Sequence, residues 1–161
     1  MNEQAEAAKK STLRMIPYGL YVLTAKDGDE VGSGAINWVT QTSFAPPLVA
    51  MGVKKDSHLY AVLQKTGQFA LSFLATGQKD LAFAHFKPTA VEGSTINGSA
   101  FETYETGAPV LSDASAWVEG KVVGNVDIGD HACVIGEVTN AGTLSGAPIL
   151  TLEECGVKYG G

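Results

Sequence analysis

The chain has 161 residues, of which 45% are apolar and 17% are charged, and its formal net charge is −6. This length and composition predict a single globular domain, 1–161, rather than a disordered segment. The negative charge argues against non-specific nucleic-acid binding, and the lack of a membrane-length apolar run or signal-peptide core leads us to expect a cytoplasmic protein with no membrane partner.

The N-terminal part of the chain predicts a helix followed by a β-hairpin. Residues 1–15 are predicted to form a helical extension, because residues 2–10 are rich in Ala and Glu. A β-branched and aromatic run over 18–25 ends at Asp27-Gly28, which is a strong signal for a tight hairpin turn. Residues 31–40 are therefore predicted to be the returning strand.

The next segment predicts a strand and a capped helix. Pro46-Pro47 must end a strand, because the pair removes two main-chain donors and fixes both φ angles. The apolar run 48–53 after it is predicted to be a buried strand. Asp56 or Ser57 can then cap a short helix, which Gly67 ends.

A further strand, a second helix and a long loop are predicted to follow. Residues 69–74 predict the strand, and Thr76 can cap a helix over 78–86, on whose surface His85 is expected to lie. Residues 87–113 are polar and rich in Gly, Ser and Thr. They are predicted to form a loop that is functional or mobile.

The C-terminal part predicts a second hairpin, and with it the fold class. Residues 117–127 and 131–140 alternate apolar and polar side chains around a turn at Gly129-Asp130, and 149–152 predict a last short strand. About six strands joined by tight turns favour a mainly β, antiparallel fold, and a small closed barrel would leave few edges. The competing fold is a doubly wound sheet, against which the tight turns count.

The cysteines and histidines do not indicate a metal site. Cys133 and Cys155 are far apart, and the three histidines are scattered without ligand spacing. In a cytoplasmic chain the two cysteines are expected to be reduced, unlinked thiols. Cys133 alternates with His131 and Ile135 on one strand face, where we expect it to be a small apolar filler.

The stretch from Asn37 to Ser57 carries the main indication of a ligand site. Its polar residues at 40–43 and its exit at Lys54 are predicted to lie at the ends of neighbouring strands. A flat, mostly apolar ligand with an anionic tail would fit this layout, because a helix start, a Ser hydroxyl and a Lys together suit a phosphate. The same spacing is also compatible with a hairpin-like connection that ends in a solvated basic turn.

Four segments, in this order along the chain, resemble the flavin reductase-like family of FMN-binding split β-barrels: GLYVLTAKDG, NWVTQTSFAPPLVAMGVKKDS, FALSFLA and GDHACVIGEV. The resemblance runs from Tyr18 to Tyr159 and is especially close to the modules fused to flavodiiron proteins and to rubredoxins. It implies a six-stranded antiparallel split β-barrel that forms a homodimer, with FMN bound near the dimer interface.

Carried over by position, the resemblance implies contacts to three parts of FMN. The isoalloxazine ring would be contacted by Asn37, Trp38, Val39, Thr40 and Gln41, and the ribityl chain by Ser43. The phosphate would be held by Lys54 and Ser57, with Lys55 beside them. Many family members have Thr at the position of Leu59, so His58 or Lys87 would have to replace that hydroxyl here.

The resemblance also implies a role for His131, which follows Gly129-Asp130. This histidine would approach the flavin or the nicotinamide and could donate a hydrogen bond to the reduced flavin. Two of the implied site residues have a second interpretation from the pattern alone. Trp38 can be a core residue of its strand, and His131 can be a solvated turn residue.

The function implied by the resemblance is that of an NAD(P)H:flavin oxidoreductase, in which NAD(P)H gives a hydride to FMN. The alternative is a non-enzymatic FMN electron carrier that serves a separate iron–sulphur, rubredoxin or flavodiiron partner. A third possibility is flavin storage or sensing without turnover. The sequence contains no compact nicotinamide-binding motif that would separate these functions.

Overall fold

A computed structural model describes residues 2–161 of the chain. Helix α1 spans Glu3–Leu13, and the side-chain oxygen of Asn2 caps it by accepting a hydrogen bond from the Ala5 amide. The helix buries no side chain. Residue 1, the first of the predicted helical extension 1–15, lies outside the described residues. No helix within 2–161 combines the length and apolarity needed to cross a membrane.

The remaining described elements are mostly short strands. The strands are β1 (Tyr21–Asp27), β2 (Glu30–Ile36), β3 (Val39–Ser43), β4 (Leu48–Lys54), β5 (Gln68–Phe73), β6 (Val91–Glu92), β7 (Thr95–Ile96), β8 (Ser99–Glu102), β9 (Val110–Leu111), β10 (Ala116–Val126) and β11 (His131–Thr143). The helices are α2 (His58–Thr66), α3 (Lys79–Ala84) and α4 (Leu152–Cys155).

Seven of the strands form one antiparallel sheet in the order β2-β1-β5-β10-β11-β4-β3. Its two edge strands, β2 and β3, are consecutive in the chain and are joined only by Asn37 and Trp38. Three Cα–Cα steps reach about 11 Å at most, so the two edges must meet at this point. The sheet therefore curls into a barrel, which confirms the predicted antiparallel barrel class.

The barrel sheet has seven strands rather than the predicted six. The difference arises from residues 31–40, which were predicted to be one strand. The structure divides this segment at Asn37-Trp38, because β2 pairs with β1 while β3 pairs with β4 at the other edge. The predicted hairpins at Asp27-Gly28 and Gly129-Asp130 are both confirmed.

The barrel encloses a core that α2 covers at one end. Core side chains come from the strands and from one face of the helix: Leu23, Met51, Val53, Phe69, Leu71, Val134, Leu59, Val62 and Leu63. As predicted, Ser57 caps α2, accepting a hydrogen bond from the Tyr60 amide at 3.1 Å, and Gly67 ends it with φ of 66°. Gly32 allows the close approach of α2, because a Cβ there would lie 2.8 Å from the Leu59 Cα.

The segment predicted to be a long loop, 87–113, instead contains a second sheet in the order β6-β7-β8-β9. Asn97 and Gly98 form the turn between β7 and β8 with φ values of 48° and 79°, which is the conformation that a tight hairpin favours. The small sheet covers a second apolar cluster that includes Leu74, Ile96 and Leu111.

Two further local predictions are wrong. Thr76 does not cap α3, which begins after Gln78, because the Thr76 hydroxyl donates to the Glu154 carboxylate instead. Residues 149–152 do not form a strand. Ile149 and Thr151 make only single bridges, and Leu152 begins α4.

Cys133 is exposed on the outer face of β11, so the prediction that it fills an apolar space is wrong. Its neighbours Ala132 and Val134 point into the core, and the alternation of a strand places Cys133 outside. Cys155 is buried, and both cysteines are free thiols.

A buried carboxylate anchors the loop that joins β8 to β9. Glu119 of β10 is fully buried, and each of its oxygens accepts two hydrogen bonds. Oε1 accepts from the amide and hydroxyl of Thr106 at 3.1 and 2.8 Å. Oε2 accepts from the Glu105 amide at 2.9 Å and from Asn140 Nδ2 at 2.8 Å.

Candidate functional site

A cleft of about 810 Å³ opens beside the point where the two edges of the barrel sheet meet. Its walls come from β2, β4, the start of α2, the segment after α3 and the C-terminal segment. The lining includes Gly34, Asn37, Gly52, Lys54, Ser57, His58, His85, Lys87, His131 and Tyr159. The volume lies within the range of about 300–1,000 Å³ that is usual for small-molecule sites.

Two buried polar side chains in the cleft wall have hydrogen-bonding atoms without a protein partner. Asn37 Nδ2 and His85 Nδ1 are both inaccessible to solvent and unpaired. An unmade hydrogen bond of this kind costs about 1–3 kcal/mol, so such groups need an explanation. A ligand in the cleft would reach these two atoms only when the side chains that cover them move aside.

His85 is buried in the cleft wall, so the prediction that it lies on a helix surface is wrong. The residue follows α3, and its Nε2 lies 3.3 Å from the hydroxyl of Ser99 in β8. Burial lowers the pKa of His85, which favours the neutral imidazole. The small sheet, which the sequence did not predict, is the element that covers it.

The cationic residues predicted to hold a phosphate are only partly brought together. Lys54, Ser57, His58 and Lys87 all line the cleft. Lys55 lies outside this lining, and its ammonium group forms an ion pair with Asp127.

Three of these residues have partners within the protein. The Ser57 hydroxyl donates to the Lys54 carbonyl at 2.7 Å while it caps α2. His58 Nε2 lies 3.7 Å from a Glu30 carboxylate oxygen. Lys54 Nζ lies 3.6 Å from an Asp56 carboxylate oxygen, and both side chains of this pair are largely exposed. Lys54 and Lys87 are the two lysines that an anion in the cleft would meet.

The position of Leu59 explains why it can replace a threonine. Its side chain is buried against β2, where a Cβ on Gly34 would lie 3.3 Å from Leu59 Cδ2. The side chain thus serves the core, and no hydroxyl is present at that position of the helix start.

The segment predicted to contact a flavin ring lies mainly on the edge strand of the barrel. Of its members only Asn37 lines the cleft. Val39 and Ser43 are half-buried in β3, and Thr40 and Gln41 are exposed. The ring contacts assigned to this strand stay a prediction. In a single chain the strand borders the cleft, and its side chains do not line it.

Three aromatic rings form a cluster at the rim of the cleft. The Trp38 ring centroid lies 4.7 Å from that of His131 and 5.2 Å from that of Tyr159. Gly52 makes room for the indole, because a Cβ there would lie 2.8 Å from Trp38 Cε3. The indole Nε1 is buried without a hydrogen-bond partner.

Both ring nitrogens of His131 are engaged by neighbouring side chains. Nδ1 lies 2.9 Å from an Asp130 carboxylate oxygen, and Nε2 lies 2.6 Å from the Tyr159 hydroxyl. The hydrogen bond from His131 lowers the pKa of Asp130. Sequence reasoning selected His131 but missed Tyr159, because no local pattern links the C-terminal segment to the hairpin turn.

The comparisons with known proteins agree with this fold. The family model described as the flavin reductase like domain matches residues 13–156. The styrene monooxygenase flavin reductase from Pseudomonas putida S12 superposes with a TM-score of 0.75 and 26% identity, covering 99% of this chain and 97% of that one.

Two curated relatives are longer proteins. Diflavin flavoprotein A 1 of Synechocystis is 34% identical over 123 residues, which are 76% of this chain and 22% of that protein. High molecular weight rubredoxin of Moorella thermoacetica is 31% identical over 151 residues, 92% of this chain and 66% of that protein. The chain therefore spans less than a quarter of the first relative and about two thirds of the second.

Proposed function

Because the chain belongs to the flavin reductase-like family, we propose that it binds FMN in the cleft and catalyses hydride transfer to it from NADH or NADPH. The electrons then pass to an acceptor. Family membership makes the chain a flavin-binding oxidoreductase; the choice of FMN and of a nicotinamide donor are parts of the proposal. The observation that supports it best is a cleft with unpaired buried polar groups and cationic residues in its wall.

The residues of the cleft suit FMN in size and chemistry. FMN is a flat aromatic ring with polar edges and an anionic tail, and the cleft offers largely apolar walls. Lys54 and Lys87 would attract the phosphate. When bound, FMN supplies the redox chemistry, while the protein positions it and tunes it through hydrogen bonds.

A second candidate function is that of an FMN electron carrier without nicotinamide turnover. The observation that favours it is the similarity to Diflavin flavoprotein A 1 and to High molecular weight rubredoxin. In this case a separate iron–sulphur, rubredoxin or flavodiiron protein would exchange electrons with the bound flavin. The cleft geometry described above serves either function.

One experiment separates the two functions. The protein is purified, its visible spectrum is recorded with FMN, and NADH or NADPH is added without oxygen. A yellow protein that bleaches at turnover rates with either nucleotide supports the reductase. A yellow protein that ignores both nucleotides but is reduced by a reduced iron–sulphur protein supports the carrier and contradicts the reductase.

We expect Lys54→Ala to weaken FMN binding by about 1.5–3 kcal/mol, the usual value of a hydrogen bond to a charged group. Riboflavin, which lacks the phosphate, should bind almost unchanged. Lys121→Ala is the matched control, because both lysine side chains are 60% exposed and Lys121 pairs with Glu137 on the barrel surface. Titration of flavin fluorescence measures both affinities, and an equal loss for FMN and riboflavin would contradict the phosphate assignment.

The substitution at Lys54 is more informative than one at Ser57. Removal of the Ser57 hydroxyl would also remove the cap of α2, which typically costs about 0.5–2 kcal/mol of stability. A loss of FMN binding in Ser57→Ala would therefore mix two effects.

The proposed assembly is a homodimer in which a second subunit covers the outer face beside β3. This edge strand presents unpaired main-chain groups and exposed polar side chains that border the cleft. We expect light scattering to give about twice the chain mass of 16.8 kDa. A monomer that binds FMN with full affinity would show that the site needs no second subunit.

We further propose a cytoplasmic location for the dimer.

A further inference from the structure

The C-terminal segment closes one side of the cleft through side-chain contacts with the barrel and with the second apolar cluster. Val157 and Tyr159 line the cleft, and Arg14 Nε donates to the Gly160 carbonyl at 3.2 Å. No main-chain group of residues 157–161 makes a main-chain hydrogen bond to any other described residue. A segment without main-chain hydrogen bonds opens more easily than a paired strand, because local stability rises with the number of such bonds.

The hydrogen bonds around His131 leave it no free nitrogen. Asp130 is a carboxylate whose pKa its hydrogen bond to His131 keeps low, so it can only accept, and Nδ1 must be the donor. In the neutral imidazole Nε2 is then an acceptor, and the Tyr159 hydroxyl must donate to it. In the imidazolium the same contact persists with the roles of Nε2 and the hydroxyl reversed.

Burial raises the pKa of Tyr159, which keeps its hydroxyl protonated and able to donate. The charged groups that act on Tyr159 are Lys54, Asp130 and Asp56. Lys54 is also the residue opposite His131 in the β4–β11 pairing. Tyr159 therefore lies between the cationic wall of the cleft and the only histidine of the hairpin turn.

We propose that Tyr159 caps His131, so that a nicotinamide nucleotide must displace the Tyr159 hydroxyl from Nε2 before it can use this histidine. The inference rests on the proposed function, in that it assigns the freed nitrogen to the nicotinamide. Nε2 of the neutral ring accepts a hydrogen bond, and the nicotinamide carboxamide has an N–H group to donate. The oxidised flavin offers mostly acceptors at its reacting edge. Tyr159 is thus a positioning residue that acts through His131.

The first test does not depend on catalysis. Nitrogen NMR of the ligand-free protein reports the protonation and hydrogen bonding of each imidazole nitrogen. Tyr159→Phe removes only the hydroxyl and is expected to shift the Nε2 resonance of His131. Tyr104→Phe is the matched control, because Tyr104 is 37% exposed, Tyr159 is 41% exposed, and the Tyr104 hydroxyl donates to Glu102 away from the cleft. An Nε2 resonance that is the same in wild type and Tyr159→Phe overturns the proposal.

The second test measures the competition between the nucleotide and the Tyr159 hydroxyl for Nε2 of His131. Without the hydroxyl, the nucleotide no longer displaces a hydrogen bond, so Tyr159→Phe should lower KM for NADH or NADPH about two- to tenfold. His131→Phe keeps a ring against Trp38 but has no nitrogen. In that background Tyr159→Phe should leave KM unchanged, because the two residues act as one unit.

Each outcome of the kinetic test decides whether Tyr159 caps His131 or is only a wall of the cleft. An unchanged KM in the single variant overturns the cap. An equal fall of KM in the His131→Phe background shows that Tyr159 is only a wall of the cleft, which also overturns it. If the protein oxidises neither nucleotide, the proposed function fails, and the contact between Tyr159 and His131 is then decided by the NMR resonance alone.

Discussion

Changing Glu119 to glutamine is expected to lower the free energy of unfolding by at least about 3 kcal/mol. Each carboxylate oxygen accepts two hydrogen bonds, from the Glu105 amide, both donors of Thr106, and Asn140. A glutamine keeps one acceptor oxygen and places an NH₂ group against two donors. Two hydrogen bonds to a charged acceptor are then lost, at about 1.5–3 kcal/mol each.

Urea unfolding of the two proteins measures the difference. Glu137→Gln is the control, because Glu137 belongs to an ion pair with Lys121 at the barrel surface, and surface pairs contribute about 1 kcal/mol or less. A loss below about 1 kcal/mol for Glu119→Gln would mean that the loop between β8 and β9 relaxes around the amide.

The same carboxylate makes the stability depend on pH. Burial alone would raise the pKa of Glu119, but the hydrogen bonds from Asn140, Thr106 and Glu105 lower it below its ordinary value. A carboxyl whose pKa is lower in the folded state stabilises the fold above its unfolded pKa. This stabilisation disappears as the pH falls through the folded pKa. Wild type should therefore lose more stability than Glu119→Gln on acidification.

Gly120→Ala is the second substitution with a large expected effect, a loss of about 3–5 kcal/mol. A Cβ on Gly120 would lie 1.8 Å from the Glu137 carbonyl oxygen, in the middle of the β10–β11 pairing. This oxygen belongs to the main chain and cannot move aside. The pairing shifts register between Glu119 and Gly120, and the close approach occurs beside that irregularity.

Gly124→Ala, four residues further along the same strand, is the matched control. Its Cβ would meet only the Ile135 side chain, at 3.4 Å, which is an ordinary contact. We expect a change within about 1 kcal/mol. Thermal unfolding compares the two variants directly, and equal losses would show that the effect is a general cost of alanine in β10.

Features that depend on neighbouring residues could be predicted from the sequence. The Asp27-Gly28 hairpin, the Ser57 cap and the Gly67 end of α2 are each determined by local turn or capping chemistry. The break at Asn37-Trp38 could not be predicted in this way. No Gly or Pro marks it within residues 35–40, and only the pairing of β2 and β3 with different strands separates them.

The burial of His85 and the position of Tyr159 were missed for a related reason. His85 is covered by Ser99 of the small sheet, and Tyr159 meets His131 from a segment 28 residues away. Such contacts are tertiary and leave no periodic signal. The Asn97-Gly98 pair is the one local signal that could have identified the small sheet, because this dipeptide favours the observed turn.

The meeting of the two sheet edges at Asn37-Trp38 has a consequence for how the barrel is completed. No ladder of main-chain hydrogen bonds joins β2 to β3, and the cleft takes one wall from β2 and another from β4 and α2. A molecule bound between these walls links the edge strand β2 to β4, the neighbour of the other edge strand, across the gap that no ladder spans. The supply of that molecule would then set the resistance of both edge strands to opening, because binding only to the folded state stabilises it by mass action.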